Sequence, residues 1–400
     1  MLAACTKSGN GSVNPVSAGD PTILRFVPGS GNVGDTVLII GTNFRKTLND
    51  NKISFATTAT TAPIQVYTGG NYDSLVLIVP SGATSNKLTV SVGSKTVTTK
   101  DTFWVTKGQW IRRADVPAQY SYDGIGFTIG NKGYYAPAGQ ANWITIHETY
   151  EFDPTLNKWT KRADMPAMDM VPSTSFAIGD TGYLVFGTSA APIVAANTVN
   201  TYSPITNSWS TANRPPGDNF FIEPLGFAAA GKGYVIALAG PGIYQFLMYD
   251  PGTGSWTIKG NNPVPPRQEG SGFVVNDEVY YGGGYWDTIP QKDFWKYSPS
   301  TDKWTQVADL PLTSYIPSVN FCLNGKGYTL FEEPTSSRGS QFYEYDPTTN
   351  KWSMEKAFPG RAYFSRTSIV AGNRAFVTGG DIFISPNHDS ASKETWEFIP

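Results

Sequence analysis

The chain has 400 residues and a formal net charge of −2, with 16% charged residues, 14% aromatic residues, 41 glycines and 29 prolines. This length predicts two domains, and the many turn-forming residues predict β structure throughout. The lack of a long basic run argues against a nucleic-acid partner, and no stretch approaches the roughly 20 apolar residues of a membrane-spanning helix.

Residues 1–20 combine a short apolar segment with a polar tail. The segment Leu2-Ala3-Ala4-Cys5 resembles a bacterial lipobox, although the charged and apolar parts of a signal peptide do not precede it. The resemblance implies that Cys5 is acylated, which would anchor the chain stably to a membrane. We therefore expect an envelope lipoprotein on the outer membrane facing outside, or in the periplasm, with residues 6–20 as a flexible tether and this lipid as the membrane contact.

Residues 21–106 contain about seven short strand patterns that are separated by glycine and proline turns, which predicts a β-sandwich. The pattern resembles the IPT/TIG family of immunoglobulin-like domains. The matching segments are Pro28, Gly34–Val37 (Gly-Asp-Thr-Val), Gly41–Phe44 (Gly-Thr-Asn-Phe) and Val79–Ala83 (Val-Pro-Ser-Gly-Ala). Such domains act as spacers or interaction surfaces, so we expect this one to be part of a stalk.

Residues 107–400 contain a repeat whose period is about 48 residues. Its tryptophans are Trp110, Trp159, Trp209, Trp256, Trp304 and Trp352. Most follow a turn of the type Asp-Pro-x-x-Asn, as in Asp153–Asn157, and each unit has an earlier turn such as Asn131–Gly133. The two turns per unit predict four-stranded antiparallel meanders, with the tryptophans packed between them.

The repeat resembles the kelch family, which implies a six-bladed β-propeller and, with the first domain, an all-β protein. In that family the tryptophan opens the outermost strand, so the strand at Trp110 has no blade before it. The last strand, around Trp396, has no fourth strand after it. We therefore predict that the strand at Trp110 closes the last blade, which removes an exposed sheet edge.

Loops at the mouth of the propeller supply the candidate site residues. Aligned blades place six residues in one register, three of them carboxylates: Asp123, Pro172, Glu223, Glu269, Pro317 and Ser365. Arginines stand nearby at Arg267, Arg361 and Arg366. The neighbouring aromatic residues are Tyr122, Trp143, Phe220, Phe221, Tyr285, Trp286, Tyr315 and Tyr363. Carboxylates, guanidinium groups and aromatic faces together favour an oligosaccharide ligand, although polar residues at strand starts can also be there simply because they meet water.

The sequence supports an enzymatic function less well than carbohydrate binding. Galactose oxidase shares the kelch fold, but its copper site needs more ligands than His147 and His388, so we expect no metal and no cofactor. Sialic acid mutarotases are also six-bladed kelch proteins, and this resemblance implies an isomerase reading in which Glu223 or Glu269 acts with Arg366. Hydrolysis by two carboxylates stays open, because their separation cannot be read from the sequence.

The principal prediction is a surface glycan-capture lipoprotein, in the manner of envelope proteins of Gram-negative bacteria. The third alternative is a protein partner, in adhesion or as a subunit of an outer-membrane uptake complex. The other cysteine, Cys322, lies in an apolar strand and is predicted to be a core residue.

Overall fold

A computed structural model of the chain describes residues 19–55, 59–118, 124–137, 140–141, 144–145, 147–166, 172–186, 199–216, 222–238, 244–260, 262–265, 267–286, 289–311, 316–332, 340–360, 364–385 and 388–400. The chain divides into two compact units, Met1–Thr106 and Lys107–Pro400. Regular structure in these ranges is β-strand, apart from one 3-10 turn at Leu48–Asp50. None of the described helices could cross a membrane.

The first unit is a sandwich of two sheets. Its strands are β1 Thr22–Val27, β2 Ser30–Asn32, β3 Thr36–Thr42, β4 Asn51–Phe55, β5 Ala59–Thr61, β6 Gln65–Tyr67, β7 Asp73–Ile78, β8 Asn86–Val92 and β9 Lys95–Thr106. One sheet has the order β1-β3-β7-β6 and the other β2-β9-β8-β4-β5. The strands beyond the predicted number are short, because β2, β5 and β6 have three residues each.

Alternate side chains of the two sheets form a single core. Val37 and Ile39 of one sheet are fully buried, as are Ile53 and Phe55 of the other. Phe103 of β9 is also fully buried and packs edge-to-face on Phe55, with ring centres 5.4 Å apart. The inward-facing positions therefore alternate along these strands, as the period of two in a β-strand requires.

The glycine of the Gly-Thr-Asn-Phe segment, Gly41, is required by close packing. A Cβ atom on Gly41 would lie 1.9 Å from the backbone oxygen of Thr22 on the neighbouring strand. The carboxylate of Asp73 accepts the backbone N–H of Phe44 at 2.9 Å, which fixes the chain after β3. Together these contacts explain why β3 has a glycine at position 41 and why a turn follows the strand.

The second unit is a ring of six four-stranded antiparallel sheets. Blade 1 has β11 Ile125–Ile129, β12 Lys132–Ala136, β15 Tyr150–Asp153 and β16 Lys158–Lys161, with a hairpin of β13 Gln140–Ala141 and β14 Ile144–Thr145; it follows β10 Gln109–Arg113 in the chain. Blade 2 has β17 Pro172–Ile178, β18 Thr181–Phe186, β19 Val199–Ser203 and β20 Ser208–Ala212. Blade 3 has β21 Ile222–Ala229, β22 Lys232–Leu238, β23 Tyr244–Asp250 and β24 Ser255–Lys259.

The remaining blades follow the same plan. Blade 4 has β25 Ser271–Val275, β26 Glu278–Gly282, β29 Phe294–Ser298 and β30 Lys303–Val307, with a hairpin of β27 Tyr285–Trp286 and β28 Ile289–Pro290. Blade 5 has β31 Ile316–Leu323, β32 Lys326–Glu332, β33 Gln341–Asp346 and β34 Lys351–Glu355. Blade 6 has β35 Phe364–Ala371, β36 Arg374–Ser385 and β38 Thr395–Ile399, and β37 His388–Ala391 pairs with the far end of β36.

The ring is closed by the first strand of the unit. β10 pairs antiparallel with β38, with Gln109 opposite Ile399 and Arg113 opposite Thr395. The innermost strands contact each other in the order β11, β17, β21, β25, β31 and β35, and β35 contacts β11. The predicted closure of the last blade at Trp110 is therefore confirmed.

Apolar side chains of the propeller form six separate clusters among the described residues, and each cluster is shared by two adjacent blades. Glycines in the second strands make room for these contacts. A Cβ atom on Gly327 would lie 2.0 Å from the ring of Phe273 in the preceding blade, and one on Gly182 would lie 2.3 Å from Phe127. These glycines, each followed by a tyrosine, therefore lie at the contact between adjacent blades as well as next to a turn.

Five of the six tryptophans of the repeat also tie their blades to the previous one through the indole N–H, namely Trp110, Trp159, Trp209, Trp256 and Trp352. In blade 5 the indole N–H of Trp352 donates to the backbone oxygen of Ala308, while Asn350 accepts the backbone N–H of the same alanine at 2.8 Å. Asn350 has a φ of 52°, as the turn requires, and Tyr345 donates to its side chain. The Asn-x-Trp spacing therefore encodes a two-bond clamp around one residue of the neighbouring blade.

Candidate functional site

Blade 4 shows the loop face of the propeller, by which we mean the end that carries the loops between blades and those joining the second to the third strands. The loop that leads into the blade meets the hairpin β27–β28 through a two-way backbone bridge, in which Gln268 and Tyr285 each donate to the other at 2.9 and 3.0 Å. The loop that leads into the blade and the hairpin between its second and third strands therefore lie at the same end of this blade. Gly284 allows this approach, because a Cβ atom there would lie 2.2 Å from the oxygen of Gln268.

Arg267 holds the base of this hairpin and is a structural residue in this geometry. Only 3% of the residue is exposed, and its guanidinium binds both carboxylate oxygens of Asp293 at 3.0 and 2.8 Å. The same group donates to the backbone oxygen of Gly283 at 3.0 Å. A bidentate, buried pair of this kind fixes geometry strongly, and its donors point away from solvent. The sequence analysis had placed Arg267 among the ligand contacts.

Asp293, the partner of Arg267, is a residue of this region that the sequence analysis did not identify. Burial opposes ionisation of its carboxyl, but the Arg267 guanidinium outweighs this effect and holds the pKa of Asp293 below its ordinary value. The indole of Trp295 donates to the same carboxylate at 2.6 Å. The sequence contains a signal for this contact, which is an acid two residues before a tryptophan. Glu394 and Trp396 in blade 6 have the same spacing, and the indole of Trp396 donates to Glu394 at 3.0 Å.

Two side chains at the tip of the hairpin remain open to solvent. Trp286 is 41% exposed and stands opposite Ile289, which is 62% exposed, in the β27–β28 pair. Tyr285 is half-buried beside them. A rigid, exposed aromatic side chain on a hairpin that is anchored at its base is suited to stacking on an apolar face of a ligand.

Glu269 adjoins the bridge and has an unusual backbone. Its φ is 49°, in the left-handed region that residues other than glycine seldom occupy. The residue is half-buried. Strained positions of this kind cluster at functional sites, since the surrounding contacts must hold them in place.

Arg366 belongs to the innermost strand of blade 6 and is buried. Only 6% of it is exposed, and its guanidinium lies 4.4 Å from the ring centre of Phe358. This places the charged group against an aromatic face within the protein. Like Arg267, it contributes to the base of the loop face in this geometry.

The other predicted site residues are less completely described. Glu223 lies in β21, next to a register irregularity between Ile222 and Leu225, and its side chain is outside the described part. The predicted residues that lie wholly outside the described residues are Cys5, Tyr122, Asp123, Trp143, Phe220, Phe221, Tyr315, Arg361 and Tyr363. Of the three carboxylates predicted to share the mouth, the structure thus describes one side chain.

The two histidines and Cys322 occupy separate settings. His147 precedes β15 and His388 begins β37. Within the described residues there is no group of three or more histidine, cysteine or acidic side chains that could hold a metal. Cys322 packs beside an apolar cluster, and burial raises the pKa of its thiol.

Comparisons with known proteins agree with this architecture. A family model for the IPT/TIG domain matches residues 21–104, and one for the kelch motif matches residues 266–311, which is blade 4 with the loop that leads into it. No curated protein matches the chain. A solved structure titled "Structure of YjhT" is similar, with 17% identity, a TM-score of 0.56, and coverage of 71% of this chain and 95% of that one. At this identity the similarity shows the fold alone.

Proposed function

We propose that this chain, an IPT/TIG domain followed by a kelch propeller, binds carbohydrate on the loop face of the propeller. The observation that carries the proposal is the exposed Trp286 on a hairpin whose base is fixed by Arg267 and Asp293. An aromatic ring that is already held in place can stack on the C–H surface of a sugar ring with little loss of conformational freedom. Glu269 next to the bridge is a hydrogen-bond acceptor for sugar hydroxyls.

A glycan-array screen of the full chain, followed by calorimetry on the best ligand, tests the proposal. We expect Trp286→Ala to weaken binding by about tenfold or more, as for a central aromatic contact. Trp104→Ala is the matched control, because Trp104 is a tryptophan of nearly equal exposure, 39%, in the other unit. Absence of binding to neutral and sialylated glycans alike would overturn the proposal and favour a protein partner for the same face.

Sugar ring opening by acid–base catalysis is a second candidate function. The strained backbone of Glu269 favours it, because a general base must be held in one orientation. Anomer exchange measured by NMR on any bound sugar tests this reading. We expect Glu269→Gln to abolish exchange while leaving binding within a fewfold of the wild type; unchanged exchange in this variant would leave a binding function alone.

We also propose that the protein is attached to the cell envelope by a lipid on Cys5. The support is the segment Leu2–Cys5 and the polar tail that follows it. Labelling with a fatty-acid analogue of the protein as its native cells produce it tests this, with Cys5→Ser as the unlabelled control. Equal labelling of both proteins would contradict the assignment.

A further inference from the structure

Two blades of the propeller each contain an arginine–glutamate ion pair at the same position of the repeat. Three residues after the tryptophan, blade 1 has Arg162, which donates to Glu151 on the third strand at 2.7 and 2.9 Å. Blade 6 has Arg113 at the same position, and it donates to Glu397 at 2.6 Å. The glutamates are 9% and 3% exposed, so each guanidinium neutralises a carboxylate that is nearly removed from water.

Blade 5 has a glutamate where those blades have an arginine. Glu355 ends β34, opposite Phe342 of the third strand, and lies near Glu344 of that strand. The residue is 1% exposed, and neither carboxyl oxygen has a hydrogen-bond partner among the described residues. A second acid therefore stands where blades 1 and 6 have a cation.

The positive charges around Glu355 are too few to neutralise its carboxylate. The groups that act on it are Glu344 on β33, Lys326 on β32 and Lys107 before β10. Lys326 is already bonded to Glu344 at 2.6 Å and lies 3.8 Å from Asp346, and Tyr328 also donates to Glu344. Because one lysine serves several carboxylates, the neutral acid is the favoured form of Glu355.

Burial, and after it the negative charge of Glu344, raise the pKa of Glu355 to about 7 from an ordinary value of 4.5. Between about pH 4.5 and pH 7, Glu355 therefore stays protonated in the folded protein but loses its proton in the unfolded chain. The stabilisation is complete below about pH 4.5 and is lost as the pH rises through about 7.

The residue after Glu355 holds the strand that closes the ring. The backbone N–H of Lys356 donates to the oxygen of Lys107 at 2.9 Å, and the oxygen of Lys356 accepts the indole N–H of Trp110 at 2.9 Å. Trp110 in turn packs on Phe342 and Phe358. A change of charge on Glu355 thus occurs one residue from the attachment of β10 to blade 5.

We propose that Glu355 is a proton-dependent latch for the closing strand: the neutral acid keeps the start of β10 attached to blade 5, and ionisation loosens that attachment. The latch works over the range between mildly acidic and neutral solution. Blades 1 and 6 lack such a dependence, because their arginines stay charged throughout that range.

Hydrogen exchange of the backbone amide of Lys356 and the indole N–H of Trp110 in the full chain, corrected for the intrinsic effect of pH, measures the latch. In the wild type we expect the opening equilibrium to rise about fiftyfold between pH 5 and pH 7.5, as one proton is released on opening. Amides of β20 in blade 2 serve as the internal reference. A wild-type profile that does not change over this range overturns the proposal.

Two variants make the assignment specific. Glu355→Gln keeps the shape and removes the charge, so we expect its opening to be independent of pH. Glu355→Arg restores the pair of blades 1 and 6 and is expected to give the same flat profile, which covers the case in which the glutamine variant does not fold. Asp309→Asn, at an exposed carboxyl, should keep the wild-type profile. A full pH dependence in either Glu355 variant would assign the effect to another group.

Discussion

The sandwich and the propeller bury their apolar side chains in different ways. The first unit has one cluster, which alternate aliphatic residues of both sheets share with Phe55 and Phe103. The propeller distributes its apolar residues over six clusters, each between two blades and each rich in tyrosine and phenylalanine. The difference suggests that a core lesion damages the whole sandwich, whereas a similar lesion in the propeller damages one seam between blades.

The sharpest test of this comparison is Phe103→Ala in the sandwich. Removal of a fully buried ring should destabilise the first unit by about 3–5 kcal/mol. In calorimetry we expect the transition of that unit to fall and the propeller transition to stay in place. Tyr67→Ala, at a residue 53% exposed in the same unit, is the control. An equal shift of both transitions would show that the two units unfold together.

Gly327→Ala should have the next largest effect, because its Cβ atom would lie 2.0 Å from the ring of Phe273. Overpacking of this kind costs about 1–3 kcal/mol in denaturant unfolding. Phe273→Leu should relieve part of the cost in the double variant, since the two residues are in contact. Gly260→Ala is the control, as no atom lies within 4 Å of that position. Additive effects of Gly327 and Phe273 would mean that the seam is not the cause.

The two-bond clamp between blades should contribute less to the free energy of unfolding. Asn350→Gly removes the bonds to Ala308 and Tyr345 but keeps the left-handed turn, as Gly254 does in blade 3. We expect a loss of about 1–2 kcal/mol. Asn350→Ala should cost about 1 kcal/mol more, because alanine is strained at that φ. If the two variants were equally stable, the hydrogen bonds alone would account for the choice of asparagine.

Trp286→Ala should have the smallest effect on stability, within about 0.5 kcal/mol, because the ring is exposed at a hairpin tip. The same variant carries the largest expected effect on glycan binding. This separation distinguishes a ligand contact from a packing residue. A large loss of stability would show that Trp286 supports the fold of blade 4.

The sequence predicted the architecture well because the architecture is periodic. Spacing located the tryptophans and the turns, which depend on local chemistry repeated six times, and the resemblance to the kelch family implied the strand that closes the ring. It could not predict that Arg267 turns inward to Asp293, since the two residues are 26 positions apart and no pattern shows which way an arginine points. Nor could spacing show that Glu355 lies against Glu344, because opposite strands bring them together.

The pairing of β10 with β38 also sets an order of events during synthesis. A ribosome makes the propeller from Lys107 onward, so β10 leaves the exit tunnel long before its partner, which is Thr395–Ile399. Until that partner emerges, β10 has no strand to pair with, the last blade lacks its third strand, and the ring is open at one side. Domains that depend on contacts between distant parts of a chain form late and are exposed to misassembly in the meantime. Completion of this propeller therefore waits for the synthesis of Thr395–Ile399, whereas the sandwich, with all its described strands before Lys107, can fold earlier during translation.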